Sequence, residues 1–395
     1  MQLEHFYALL TREGKWALES AMAFEPREKD FLSDFKMLAK RFPRELARAA
    51  LTVAILRIEA EDKFPQAEKL YFTREALEQA TPWEVASYRA QRYQGVDRIF
   101  DLGCSVGGDA LALAQSAPVV GVDLDEVRLA MARENLRAVR RPGAFLQADI
   151  TALPFTFTRM SGRNAIFFDP ARRENYQRIH SVFDYQPPLT LVESWLPDVP
   201  EIAVKVSPGV NLDELTGFDC EVEYISLNGN LKEACLWFGG FKTAERRATL
   251  LVNGATHTLT AAEQPELPIS EPRAYLYEPD PAILRAGLVQ AVGRVLDAAQ
   301  LDPEIAYLTS DTFTDSPWTR VWPVEDWMPF QLKNLRAILR ERNVGSVTVK
   351  KRGSPIVPEE LIQQLRLEGN ESRTLFLTMQ AGNPIVVIAG DESNV

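Results

Sequence analysis

The chain predicts an α/β fold, a mostly parallel sheet closed by an antiparallel pair, with a helical extension before it and an α+β domain after it. Three observations carry this. From about residue 96 to 245, short apolar runs of strand character alternate with helical patterns. That stretch ends in two apolar runs separated by Asn228-Gly-Asn230, a hairpin signal. The flanks differ: residues 1–95 repeat apolar positions at helical spacing, whereas residues after 245 mix both patterns. A length of 395 residues suits two or three domains, with boundaries expected at 1–95, 96–245 and 246–395.

In chain order, helices are expected first at residues 31–38 and 46–56. Thr81-Pro-Trp-Glu84 opens another, with a threonine cap, proline at the first helical position and glutamate three residues after the cap. It should run to about Tyr93. Strands follow at Arg98–Leu102, 119–122, 144–146, 165–168 and 202–206, with helices at 109–115 and 126–139. The closing pair is 221–226 with 233–238. Beyond it lie a small hairpin, 249–252 with 256–259 around Asn253-Gly254, and a linker rich in proline and acid at 263–272. The last part should hold helices at 281–299 and 331–343 and strands at 346–350, 374–379 and 384–389.

An apolar content of 46% and a charged content of 25% describe a soluble globular protein with material for real cores. No apolar run reaches the roughly 18–20 residues of a membrane span, and Met-Gln-Leu-Glu-His is not the start of a secretory signal. Cys104, Cys220 and Cys235 form no paired pattern, which suits a reduced, cytoplasmic protein. His5, His180 and His257 are too dispersed for a metal cluster, so no metal is expected. The net charge of −11 argues against nucleic acid, yet residues 320–352 carry eight bases and three acids, a local +5. Such a patch holds phosphates or is a solvated helix face.

The densest chemistry lies in Ile99-Phe-Asp-Leu-Gly-Cys-Ser-Val-Gly-Gly-Asp109. An apolar strand runs into a glycine turn and then into a helix. Gly103 lets the backbone approach a ligand where a β-carbon would intrude, and the helix start offers unpaired N–H groups. A second apolar run ends at Asp123, twenty residues on, from where a carboxylate reaches a ribose diol. A nucleotide-like cofactor follows as the first expectation.

Asp101-Leu-Gly103-Cys-Ser-Val-Gly107 resembles the first motif of class I S-adenosylmethionine-dependent methyltransferases, with Ser105 in place of the usual middle glycine. The resemblance implies a Rossmann-like sheet and S-adenosyl-L-methionine as cofactor. It implies Asp101 at the methionine end, Asp123 at the ribose hydroxyls, and Asp149 with Ile150 at the adenine. Gly103, Cys104, Gly107 and Leu124 complete the implied cofactor-binding set. An NAD enzyme would keep glycine at the middle position and lack the closing hairpin.

Asp169-Pro-Ala-Arg172 ends the fourth strand and resembles the Asp/Asn/Ser-Pro-Pro-aromatic motif of amino methyltransferases. Ala171 replaces the second proline and Arg172 the aromatic. By that resemblance Asp169 and Pro170 are catalytic, orienting an amine; Arg172 and Lys205 are the candidate substrate contacts. Lys205, a charge inside an apolar strand, either faces the substrate or pairs with an acid. Tyr176, His180, Phe183 and Tyr185 line a substrate pocket or pack in a core, and Trp318, Trp322 and Trp327 are expected in packing. Asp-Pro-Ala-Arg also occurs in RNA uracil C5 methyltransferases, which need a nucleophilic cysteine; Cys220 is expected on a strand remote from the site.

Residues 70–169 are similar to trimethylguanosine synthases, which implies that Tyr71 and Thr81 help close the cofactor pocket; a capping role explains Thr81 equally well. The segments Tyr275-Leu-Tyr-Glu-Pro-Asp-Pro-Ala-Ile-Leu284 and Val349-Lys-Lys-Arg-Gly353 resemble the THUMP-like domain attached to a bacterial group of methyltransferases. That resemblance implies RNA as a partner. The resulting expectation is N-methylation of an RNA base. Methylation of a small molecule or protein, and RNA recognition without chemistry, are the alternatives.

Overall fold

The computed structural model describes residues 1–170, 173–174, 177–178, 181–260, 266–390 and 392. The chain divides into two compact units, one of residues 1–222 with 232–243, the other of residues 223–231 with 244–395.

The first unit begins with helices α1 (Leu3–Leu10), α2 (Arg12–Met22), α3 (Phe31–Leu38), α4 (Arg44–Glu59), α5 (Arg74–Gln79) and α6 (Trp83–Ala90). They share one core with the sheet that follows: Phe6, Leu51, Ile55 and Phe64 belong to the same apolar cluster as Ile99, Leu111 and Trp237. The sheet elements are β1 (Arg98–Leu102), α7 (Gly108–Leu113), β2 (Val119–Asp123), α8 (Glu126–Ala138), β3 (Gly143–Gln147), β4 (Asn164–Phe168), the short pair β5 (Arg173–Glu174) and β6 (Gln177–Arg178), α9 (Leu191–Trp195) and β7 (Glu201–Val206). After β8 (Cys220–Leu227) comes β9 (Asn230–Gly239), which pairs antiparallel with β7. The order is β3-β2-β1-β4-β7-β9, and the first four pairings are parallel. Strands β4 and β7 are buried along their whole length, as expected when both faces of a parallel sheet are covered.

Two details differ from the sequence reading. The helix opened by Thr81 starts one residue later than expected, with Pro82 at the cap position and no side-chain cap; its α-helical part ends at Ala90, and a 3-10 turn continues to Tyr93. The Thr81 hydroxyl points instead to Asp109 Oδ2, 3.4 Å away. Gly107 caps α7 in a left-handed conformation, so that helix begins at Gly108, and it ends at Leu113, two residues earlier than expected.

The second unit holds the end of β8, then β10 (Arg246–Val252), β11 (Ala255–Thr260), β12 (Tyr275–Pro279), α10 (Pro281–Ala286), α11 (Val289–Val295), β13 (Ala299–Asp302), β14 (Ile305–Ser310), β15 (Thr319–Pro329), α12 (Leu332–Glu341), β16 (Val344–Lys351), α13 (Pro358–Leu365), β17 (Glu371–Gln380) and β18 (Asn383–Ala389). Seven of these strands form a sheet in the order β13-β14-β12-β15-β18-β17-β16. Period-two alternation splits its core. Phe376, Ile385 and Val387 face Tyr307 and Trp322, whereas Leu375, Leu377, Val386 and Ile388 face Leu335, Leu339, Leu361 and Leu365 of α12 and α13. The single helix expected over 281–299 is two helices and a strand, because Gly287 adopts φ +70° and ends α10.

Candidate active site

The carboxyl ends of β1 and β4 meet at one contact. Gly103 has φ +88°, and a β-carbon there would sit 2.5 Å from the carbonyl oxygen of Asp169. The Asp169 amide donates to Leu102 O at 3.0 Å, so the two strand ends are stitched together. Only glycine satisfies both the backbone angle and the clearance. The rest of the loop is also left-handed, at Ser105 (φ +48°) and Gly107 (φ +79°). Gly107 lets α7 approach α8, since its β-carbon would lie 3.1 Å from that of Ala132.

Asp123, at the end of β2, is the brace of this loop. Its carboxylate accepts from the Ser105 amide at 2.8 Å and the Asp125 amide at 2.9 Å. The third acid, Asp149, is exposed, and its Oδ1 accepts from the amide and hydroxyl of Thr151. The Thr151 hydroxyl, then its amide, hold the Asp149 pKa below the ordinary carboxyl range. Leu124 beside Asp123 is 66% exposed, an apolar flank, and Ile150 is buried. Gln147 Nε2 donates to Leu124 O at 3.0 Å, tying the ends of β2 and β3 together. The Cys104 thiol is buried, and burial, then Asp101 and Asp123, push its pKa well up.

Beneath the loop lies Asp101, 1% exposed, with neither carboxylate oxygen hydrogen-bonded. Burial, then the charges of Asp109 and Asp169, raise its pKa well above the carboxyl range. A buried carboxylate without a donor is costly, and the group holds its proton more tightly than an ordinary carboxyl.

Lys205, on β7, donates to Asp169 Oδ2 at 2.8 Å and lies 3.5 Å from Asp109 Oδ2. Of the two readings of Lys205, pairing with acids is therefore observed. Asp109, in the first turn of α7, also receives Arg89 of α6, and Arg89 bonds Glu233 of β9 with its other nitrogen. Burial opposes the charge on Asp109, but Arg89 and Lys205 outweigh it and hold its pKa down. Among the described residues, three acids, Asp109, Asp169 and Glu233, thus engage two bases, Arg89 and Lys205, with the proton-holding Asp101 close by.

Arg89, Asp109, Glu233 and Asn135 were not singled out from the sequence. Asn135, fully buried on α8, accepts from the Tyr71 amide and donates to Tyr71 O and to Val106 O in the glycine loop. That places the backbone of Tyr71 against the loop, while its ring packs on Phe6 under the Arg57 guanidinium. A signal for Arg89 existed, because it occupies an apolar-face position of α6 beside Val85 and Ala86. Tyr185 is buried with its hydroxyl accepting from the Ser207 amide, whereas Phe183 is exposed. Pro170 is buried, while Ala171, Arg172, Tyr176 and His180 lie outside the described residues.

Four of the eight bases of the basic stretch in the second unit pair with acids. Arg342 pairs with Glu325 and Asp326, Lys350 and Arg352 share Glu278, and Arg320 pairs with Glu392. Among the described residues no group of His, Cys, Asp and Glu could hold a metal ion, and no helix is long and apolar enough to cross a membrane.

Residues 99–183 match the methyltransferase domain family, residues 319–391 the THUMP domain-like family, and residues 2–60 a domain of unknown function. Uncharacterized S-adenosylmethionine-dependent methyltransferases of two Mycobacterium tuberculosis strains, CDC 1551 and H37Rv, are 36% identical over 314 residues, covering 78% of this chain and 84% of theirs. A crystal structure of a protein from Porphyromonas gingivalis W83, described as a methyltransferase, superposes with a TM-score of 0.76 over 92% of this chain and 98% of that one. At 23% identity it shares the fold.

Proposed function

This chain belongs to the S-adenosylmethionine-dependent methyltransferases, and we propose that it methylates a nitrogen of an RNA base at the Asp169–Lys205 end of its sheet. The observation that carries the site assignment is the unpartnered, buried Asp101 carboxylate beneath a backbone that Gly103 keeps clear. S-adenosylmethionine supplies a methyl group on a positively charged sulfur. In this reading Asp101 takes the ammonium at the methionine end, and Gly103, Cys104 and Gly107 let the loop backbone close on it. Asp123 accepts from the ribose hydroxyls, and Asp149, Leu124 and Ile150 face the adenine.

Asp169 then orients the acceptor. A carboxylate offers about four lone-pair positions, enough for Lys205 and an incoming amine together. Lys205 fixes the Asp169 side chain, and Pro170 sets the backbone beside it. Because an amine becomes more acidic as its new bond forms, alignment contributes more than a strong base. Arg172 would contact the substrate.

The THUMP domain-like match supports RNA as the substrate. The similarity of residues 70–169 to trimethylguanosine synthases supports an exocyclic amine as the acceptor. A second reading, methylation of a small molecule or protein, is favoured by the pairing of the second unit's bases with acids. Transfer of tritiated methyl from cofactor to RNA and to protein extract, both from cells lacking the protein, separates the two. Label is expected in RNA, in a base-methylated nucleoside identified by mass spectrometry; label confined to protein overturns the RNA reading. Asp169→Ala is expected to abolish transfer while cofactor still binds.

A further inference from the structure

We propose that RNA phosphates are held by the α3–α4 corner of the first unit, through Lys36, Lys40, Arg41, Arg44 and Arg48. The proposal rests on the RNA reading and deepens it. Between Lys36 and Arg48 the chain carries these five bases and one acid, Glu45, in a protein of net charge −11. All five side chains are exposed, and among the described residues none is engaged by a carboxylate or carbonyl. The second unit shows the opposite, since Arg320, Arg342, Lys350 and Arg352 are paired with acids and Arg336 is spent on the Gln364 carbonyl.

The three arginines are also held in place without losing their donors. Arg41 lies over Trp16, 5.2 Å from the ring centroid, and Arg44 and Arg48 lie over Phe35 at 5.5 and 5.6 Å. An arginine resting on an aromatic face keeps its planar fork of five N–H donors, a match for phosphate oxygens. Trp16 is 52% exposed, and Leu32 and Met37 of α3 are also open, so bases have a surface to stack on. Guanidinium groups interleaved with rings favour nucleic acid over an acidic protein. The corner is also connected to the cofactor loop. Helix α4 starts at Arg44, and near its far end Arg57 donates to Leu70 O, next to the Tyr71 backbone that Asn135 fastens to Val106. At 1.5 Å per residue that helix spans about 20 Å between the corner and Arg57, a distance a folded RNA covers easily.

The test is binding of fluorescein-labelled small RNA, pooled from cells lacking the protein, measured across a salt series with cofactor present. Each phosphate contact contributes about 0.7–0.9 to the slope of log affinity against log salt. The variant carrying Arg41→Ala, Arg44→Ala and Arg48→Ala is expected to lower that slope by about two to three, with cofactor affinity unchanged. The corresponding lysine variants should keep the slope. Arg342→Ala with Arg352→Ala should leave it unchanged. If the triple variant misfolds, the single alanine variants are read instead, each expected to lower the slope by just under one. An unchanged slope overturns the proposal and leaves the RNA reading standing. A wild-type protein that binds phosphatidylserine vesicles but no RNA overturns both.

Discussion

At the scale of single residues, the site concentrates conflict at Asp101. A carboxyl whose pKa is higher in the folded state than in the unfolded chain stabilises fully only below its unfolded value near pH 4, and that contribution fades as pH rises through the folded value. Asp101 is raised by burial and by Asp109 and Asp169, so the cofactor-free protein carries this loss at neutral pH. Asp101→Asn should therefore raise the melting temperature at pH 7 relative to wild type, with the gap closing towards pH 4. The same variant should weaken cofactor binding about 10- to 100-fold, the equivalent of a charged hydrogen bond. Scanning fluorimetry across pH and calorimetric titration check the two halves; wild-type affinity would remove Asp101 from the site. Gly103→Ala should destabilise by about 3 kcal/mol, combining left-handed strain with a 2.5 Å clash, measured by urea unfolding. Asp169 and Lys205 were legible in the sequence because a charge after or within an apolar strand stands out. Their mutual bond was not, since residues 36 positions apart meet only through the strand order.

At the scale of elements, α6 is held by a buried ion pair as well as by the apolar packing of Val85, Ala86 and Ala90. Arg89 is 1% exposed between Asp109 of α7 and Glu233 of β9. Arg89→Met removes the arginine from the buried Glu233 and leaves Asp109 only Lys205 and Thr81, and should cost about 3–5 kcal/mol in chemical unfolding. Arg89 also shapes the acid limb of stability. Asp109 has its pKa lowered, against the burial penalty, by Arg89 and Lys205, so it stabilises the fold above its unfolded value near pH 4, and this is lost as pH falls through the folded value. The difference between wild type and Arg89→Met should accordingly shrink in acid. Thr81→Val, by contrast, should cost less than about 1 kcal/mol, because Thr81 caps nothing and its bond to Asp109 is long at 3.4 Å. Strands of the parallel sheet were legible to within a residue because each is a short apolar run, buried on both faces in β4 and β7 and open only at the edge strand β3. The strands β12, β13, β14 and β15 were missed, β15 because Pro323, Glu325 and Asp326 interrupt its pattern.

At the scale of the molecule, the alternating order of strands and helices announced the parallel sheet, whereas the unit boundary was hidden. Residues 223–231 count with the second unit, where Glu223 accepts from the Thr249 hydroxyl at 2.6 Å and Asn228 donates to Leu251 O. No composition change marks that crossing. A chain truncated after Thr243 should therefore strand the buried Glu223 without Thr249 and aggregate at 37 °C, as light scattering would show; a soluble, cofactor-binding fragment would contradict this. The late position of β9 has a consequence for synthesis. Arg89 must wait for Glu233, 144 residues downstream, and the edge of β7 stays unpaired until residues 234–239 have left the ribosome. The nascent helical extension and five parallel strands thus exist for a time as an open-edged intermediate. Such long sequence separation slows closure, which makes this chain a candidate client for chaperones that cover bare strand edges.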